Sequence, residues 1–274
     1  MISWFLAILA GAVQGITEFL PISSSGHLII LQDLFNFELE SNLTFNVALH
    51  LGTLLALIIF FYTDIVQLIK NFVASIFNSD LKNKFEQRLP WLIILGTIPA
   101  ALIGFLFEDF VDEVLHSSNW SVIIIVVMLI LVGALFLIME KKVKQTKVIS
   151  DINWKNSLLI GLAQAIALIP GTSRSGITII AGLSQGLKRE QAARFSFLLS
   201  IPIVAGASLK KMFDVYYLGG IDLPMFGLGI ASSFIVGYLA LGLLLKYLSS
   251  NSLKVFAYYR FGLAAFLVLW LFWR

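Results

Sequence analysis

The stretch "QGITEFLPISSSGHLII", residues 14–30, decides how this chain is read. It sets a carboxylate, three consecutive serines and a histidine into otherwise apolar sequence. A second stretch, "QAIALIPGTSRSGITII" at 164–180, repeats the pattern with an arginine in its middle. In both, Pro, Ser and Gly interrupt a run that would otherwise continue as an apolar helix.

The surroundings are built for lipid. Of 274 residues, 59% are hydrophobic and 13% charged, and mean hydropathy is +0.92. Soluble domains sit nearer about half apolar and about a quarter charged. Six apolar runs, at 42–62, 89–107, 119–140, 195–213, 225–246 and 254–273, are each long enough to cross about 30 Å of hydrocarbon. There is no cysteine, which excludes disulfides and thiol catalysis. A cleaved signal peptide is not expected, because the first Lys or Arg is Lys70. The basic residues lie in short loops and form no basic face, so nucleic acid is not an expected partner.

Charge assigns the sides. Residues 63–88, 141–156 and 184–194 are rich in Lys and Arg, whereas 31–41 and 108–119 carry acids and neither Lys nor Arg. The positive-inside rule puts the first three in the cytoplasm and the last two outside. Lys210 and Lys211, at an expected outer end, dissent. With these sides, 157–183 begins and ends in the cytoplasm and reads as a re-entrant hairpin. Backbone broken at membrane depth is tolerated only inside protein or beside a water-filled cavity.

The two stretches align at an offset of 150. Gln14 pairs with Gln164, Ser23 with Ser173, Ser25 with Ser175, Gly26 with Gly176, and Phe45 with Phe195. "GTIPAALIGFLF" (96–107) matches "GIASSFIVGYLA" (229–240) at an offset of 133. Each half is one broken region plus three spans, so the halves oppose each other in the membrane. The expected fold is an all-α polytopic membrane domain over 1–274. It has six transmembrane helices and two re-entrant hairpins in an inverted repeat of 1–140 and 150–274. The hairpin over 2–30 enters from outside, and its tip meets the tip at "PGTSRSG" in one buried site.

Gln14 and Glu18 share a helical face before Pro21, and an ionisable group at membrane depth usually serves function. "PISSSGH" offers Ser23, Ser24 and Ser25; "PGTSRSG" offers Gly171, Thr172, Ser173, Ser175 and Gly176 around Arg174. Backbone N–H groups at a chain break hold phosphate, and Arg grips it with a bidentate fork. Alone, the serines read as a helix cap, and Arg174 as a counterion for Glu18. His27 reads either as a proton carrier or as an interfacial histidine bonded to backbone. His50 reads as a satisfied polar group and His116 as inert. Arg260 either snorkels to an interface or helps to hold an anion.

"QGITEFLPISSSGH" with "PGTSRSG" resembles the undecaprenyl-diphosphate phosphatases, the bacitracin-resistance family of bacterial inner membranes. "FSFLLSIP" (195–202) and "YYRF" (258–261) extend the resemblance over the chain. It implies hydrolysis of a C55 isoprenyl diphosphate at the outer face, recycling the lipid carrier of peptidoglycan synthesis. It also implies catalytic roles for Ser24, His27, Arg174 and Glu18. The family's acidic motif is Glu or Gln, three residues, then Glu; here it is Gln14 and Glu18, one carboxylate fewer than in many members. Glu18 then activates Ser24 or holds Mg²⁺ or Ca²⁺, with Gln14 beside it. Ser24, water and His27 are alternative attacking groups. The implied partners are the isoprenoid diphosphate and membrane lipids, and a homodimer is compatible with them. The rival reading is a flippase or secondary transporter on the same repeat, since inverted repeats with broken helices typify transporters. A plain scaffold is the third reading, and the buried ions argue against it.

Overall fold

A computed structural model describes residues 2–35, 42–77, 84–107, 121–218 and 223–273. The acidic loops expected outside, with His116, lie largely outside the described residues. Eleven helices and one 3₁₀ turn make up the described chain. Its only β contact is a single parallel bridge between Lys147 and Leu187.

The long apolar runs became the long helices. These are α5 (Phe85–Leu106), α6 (Ser121–Lys142), α9 (Arg189–Leu218), α10 (Leu223–Leu248) and α11 (Lys254–Trp273). α6 shows why: its 22 residues span about 33 Å at 1.5 Å each, and it has no charge before Glu140. Among the described residues, five helices are long and apolar enough to cross a membrane. The bent pair α3 (Asn42–Phe60) and α4 (Tyr62–Phe77), broken by 76°, is either a sixth, broken span or a re-entrant loop.

α4 falls where the sequence reading placed a cytoplasmic loop. It is amphipathic: Asp64, Gln67, Lys70 and Asn71 punctuate Ile65, Leu68, Ile69 and Val73. The bend sits at Phe61, which is buried. Arg194 lies 5.7 Å over the Phe61 ring and reaches Asp64, so both sides of the bend are held by one guanidinium.

Each interrupted region folds as two short helices around a turn. α1 (Ile2–Phe19) and α2 (Ser24–Phe35) flank the first; α7 (Trp154–Ile166) and α8 (Arg174–Ser184) flank the second. Small residues let their first arms dock closely. A methyl on Gly11 would overlap the Gly229 carbonyl on α10, and one on Gly161 would overlap the Gly96 carbonyl on α5. Gly15 meets Ser233 and Gly237 in the same way. Such small-residue seams drive helix association where lipid supplies no hydrophobic force. Ser233 Oγ also donates to the Leu49 carbonyl at 2.8 Å, tying α10 to α3.

The dissenting Lys210 has a local explanation, since its ammonium sits 5.6 Å over the Phe105 ring and is held by cation–π attraction. At the C-terminal end of α6, Glu140 accepts from Arg189 and from the Leu253 N–H. That staple joins α6, α9 and the α10–α11 turn.

Candidate active site

The two turns meet around Glu18. Ser24 and Arg174 are each the first residue of a helix, α2 and α8. The residue before each has positive φ, 78° at Ser23 and 68° at Ser173, a region side chains other than Gly rarely occupy. Ser23 Oγ accepts from the Gly26 N–H and Ser173 Oγ from the Gly176 N–H. Each is thus an N-cap. Each also shares a hydroxyl hydrogen bond with the serine two residues on, Ser25 or Ser175. The two tips are built alike.

What stands between the paired serines differs, and both variants aim at one carboxylate. Ser24 Oγ donates to Glu18 Oε2 at 3.0 Å, and Arg174 Nη2 donates to Glu18 Oε1 at 2.5 Å. Gln14 Nε2 donates to Oε2 at 3.0 Å. Glu18 is only 8% exposed, so these donors replace the water that a buried carboxylate has lost. One of the five guanidinium N–H groups is committed to Glu18, which leaves Arg174 with donors for a ligand.

The tips are locked together behind this cluster. Ser25 Oγ accepts from the Gly171 N–H at 3.2 Å. Arg260, fully buried, donates to the carbonyls of Pro21 on one tip and of Gly171 and Thr172 on the other, and to Leu129 and Met128 on α6. It neither snorkels nor faces an anion; it is a clamp satisfied by backbone oxygens. Gly171 sits at φ +85°, and a Cβ there would lie 2.6 Å from the Ile125 Cα, so only glycine fits. Ser23, Gly171, Thr172, Ser175 and Gly176 are buried in this frame. Ser24, Ser25, Ser173 and Arg174 are the partly exposed members of the expected set.

His27 is turned away from the carboxylate. Its Nδ1 bonds to the Ser23 carbonyl and its Nε2 to the Tyr259 hydroxyl, both at 2.7 Å. A carbonyl only accepts, so Nδ1 carries the proton and Nε2 takes the Tyr259 hydrogen. The histidine beside Glu18 is instead His50, with Nε2 3.5 Å from Oε2. Sequence reasoning read His50 as a satisfied polar group and gave Tyr259 no role. The available signal for His50 was an ionisable group within an apolar span.

The chain matches the family model "Bacitracin resistance protein BacA" over residues 7–266. The chain belongs to this family. Members similar to it bear the name "Undecaprenyl-diphosphatase". One from Rubrobacter xylanophilus is 44% identical over 268 residues, covering 97% of each chain. One from Trichlorobacter lovleyi is 44% identical over 257 residues, 93% of this chain and 92% of that one. One from Methanosphaera stadtmanae is 41% identical over 268 residues, 94% and 95%. The site described above lies wholly inside the span matched by the BacA model.

Does this donor set suit a divalent cation? Among the described residues there is no group of three or more His, Cys, Asp or Glu side chains that could hold one. Gln14 Oε1 is, however, buried without a hydrogen-bond partner beside Glu18. A carboxylate and a spare amide oxygen suit the kind of site in which substrate phosphates complete the coordination.

Proposed function

We propose that this chain hydrolyses undecaprenyl diphosphate to undecaprenyl phosphate and inorganic phosphate. That step returns the lipid carrier to peptidoglycan synthesis and supports bacitracin resistance. The observation that carries the proposal is the convergence of Ser24 and Arg174 on the two oxygens of Glu18. The names of its relatives supply the substrate.

Glu18 Oε2 takes the hydroxyl proton of Ser24 as Oγ attacks the terminal phosphorus. The P–O bond to the lipid phosphate breaks, and undecaprenyl phosphate leaves as an anion. Water then cleaves the phosphoserine and releases phosphate. The uncommitted N–H groups of Arg174 and the first-turn N–H groups of α2 and α8 that the serine caps leave free face the phosphoryl oxygens, where charge develops. His27 holds the Ser23 carbonyl and so orients Ser24 through the cap. A divalent cation held by Glu18 and Gln14 together with diphosphate oxygens would supply further charge neutralisation.

The frame for this site is an inverted repeat of two re-entrant hairpins and six spans in the bacterial inner membrane, with the site opening outward. Two structural facts support it. Gly11 and Gly161 are 150 residues apart, Gly96 and Gly229 are 133 apart, and the contact between Gly11 and Gly229 matches that between Gly161 and Gly96. The tips also share their caps. Transport on the same repeat is the second reading; a hydroxyl held on a buried carboxylate favours hydrolysis over it, because a carrier needs no nucleophile.

The decisive experiment is phosphate release from farnesyl diphosphate by the purified protein in detergent. Release is expected, and its absence with every common divalent ion present would remove the hydrolase assignment. For the orientation, cysteines replacing Asn36 or Ser117 should react with an impermeant thiol reagent on intact cells. One replacing Gln145 should not, and its labelling would invert the assignment.

A further inference from the structure

We infer that the cleft between the starts of α5 and α7 binds one phospholipid whose headgroup carries a phosphodiester and a free hydroxyl, as phosphatidylglycerol does. α7 is 13 residues long, so the cleft lies about 20 Å from the second tip at about 1.5 Å per residue. The sequences leading into both starts are rich in Lys and Arg, the mark of cytoplasmic loops, which makes this a lipid of the cytoplasmic leaflet. The leaflet, though not the binding, rests on the orientation proposed above.

The walls of the cleft suit acyl chains. It holds about 410 Å³, between Trp91 and Leu92 of α5 and Ile152 and Trp154 at the start of α7, a volume typical of ligand sites. Both indoles are held. Trp91 Nε1 donates to Ser75 Oγ on α4 at 2.9 Å, and the Phe72 ring centroid lies 4.9 Å from that of Trp91. Lys155 stands 5.4 Å over the Trp154 ring. Such indoles sit where lipid headgroups meet acyl chains.

Two polar groups of the cleft are uncommitted among the described residues. Gln87 is only 7% exposed, yet its Oε1 has no hydrogen-bond partner. A buried acceptor left so is costly, and a donor from a ligand removes the cost. Arg88, beside it, makes no ion pair among the described residues. Asn153, the third polar residue there, is engaged, because its Oδ1 caps α7.

Charge selects the headgroup. Lys84, Arg88 and Lys155 surround the mouth. Glu86 lines the neighbouring cleft with Asp64 instead, and Asp151 accepts from the Val148 N–H. α5 begins without a side-chain cap, so its first N–H groups add positive potential. An anion is favoured at this mouth and an ammonium headgroup is not. Gln87 and Arg88 line one cleft, so a phosphate on the Arg88 fork leaves the rest of the headgroup within reach of Gln87. A hydroxyl meets both demands, since it donates to Oε1 without carrying positive charge.

The test uses the full chain, delipidated in detergent, with one dioleoyl lipid added at a time and retention counted by native mass spectrometry. The probes are phosphatidylglycerol, phosphatidylcholine, phosphatidylethanolamine and phosphatidylmethanol, which has the phosphodiester but no headgroup hydroxyl. The wild type should hold one phosphatidylglycerol about tenfold or more tighter than the choline and ethanolamine lipids, with phosphatidylmethanol between. Arg88→Gln should weaken phosphatidylglycerol about tenfold, the scale of one hydrogen bond to a charged group. Gln87→Leu should bring phosphatidylglycerol down to the level of phosphatidylmethanol. Lys254→Gln, at an exposed cation outside the cleft, should change nothing. Phosphatidylglycerol should also raise the unfolding midpoint of the wild type more than that of Arg88→Gln. Equal retention of the four lipids, undiminished affinity in Arg88→Gln, or an equal loss in Lys254→Gln overturns the site. Phosphatidylmethanol binding as tightly as phosphatidylglycerol to the wild type overturns the hydroxyl and the role of Gln87.

Discussion

The tip at Ser23–Ser25 and the tip at Ser173–Ser175 are two solutions to one folding problem, and they differ at one working position. Both place a serine at positive φ, both use its hydroxyl as the cap, and both tie that hydroxyl to the serine two residues on. The scaffold is shared because a helix that begins at membrane depth must satisfy its first N–H groups internally. The middle position escapes that duty. One tip uses it for a hydroxyl and the other for a guanidinium, and the two meet across Glu18. Chemistry sits where the repeat is free to diverge.

The sharpest way to break this comparison is Ser24→Ala. Turnover should fall at least ~10³-fold, because the loss falls on the transition state while binding persists. Acid-quenched single turnover with labelled substrate should trap phosphoserine in the wild type alone. Robust hydrolysis by the variant would leave water as the attacking group and reduce Ser24 to a donor on Glu18.

Arg260 tests whether the tips act as one unit. Arg260→Met leaves the carbonyls of Pro21, Gly171 and Thr172 buried and unpaired. Each such group costs about 1–3 kcal/mol, so about 3 kcal/mol or more of stability should be lost, seen as a lower unfolding midpoint in detergent. An unchanged midpoint would show that the tips hold together without the clamp.

Arg174→Lys keeps the charge but loses the planar fork. Turnover should drop about 10²-fold, the scale of one transition-state donor. Near wild-type turnover would confine Arg174 to the role of counterion for Glu18, the reading its sequence context alone permits.

The spans, the two turns and most of the cluster were legible in the sequence, because apolar length and a repeated polar motif act locally. Three features were not. α4 is 16 residues of mixed polarity, too short and too charged to register as a span, and its helix depends on the bend at Phe61. His50 joins Glu18 across 32 positions of sequence, a closeness set by how α3 packs on α1 rather than by spacing. Arg260 showed as a charge in a span, but its five carbonyl partners come from both tips and α6, which no local pattern encodes. The glycine seam could have been found: Gly11 and Gly161 obey the same 150-residue offset as the serines.

The smallest expected effect probes the shared scaffold itself. Ser23→Ala and Ser173→Ala each remove a cap hydroxyl, at about 1 kcal/mol. Because both serines sit at positive φ with the same local bonds, the two losses should agree to within a few tenths of a kcal/mol. Glycine separates the two components of that cost. Ser23→Gly and Ser173→Gly also lose the cap, but glycine occupies φ near +70° without strain, so each should be less destabilising than the alanine variant. Thermal unfolding of the four variants in one detergent makes the comparison. Equal penalties at the two tips, with glycine milder at both, mean that the caps do the same job on either side of the site. A large penalty at Ser23 beside a negligible one at Ser173 would mean that the first tip's cap carries an added load through the bond from its carbonyl to His27, and the two tips would then no longer be one scaffold used twice.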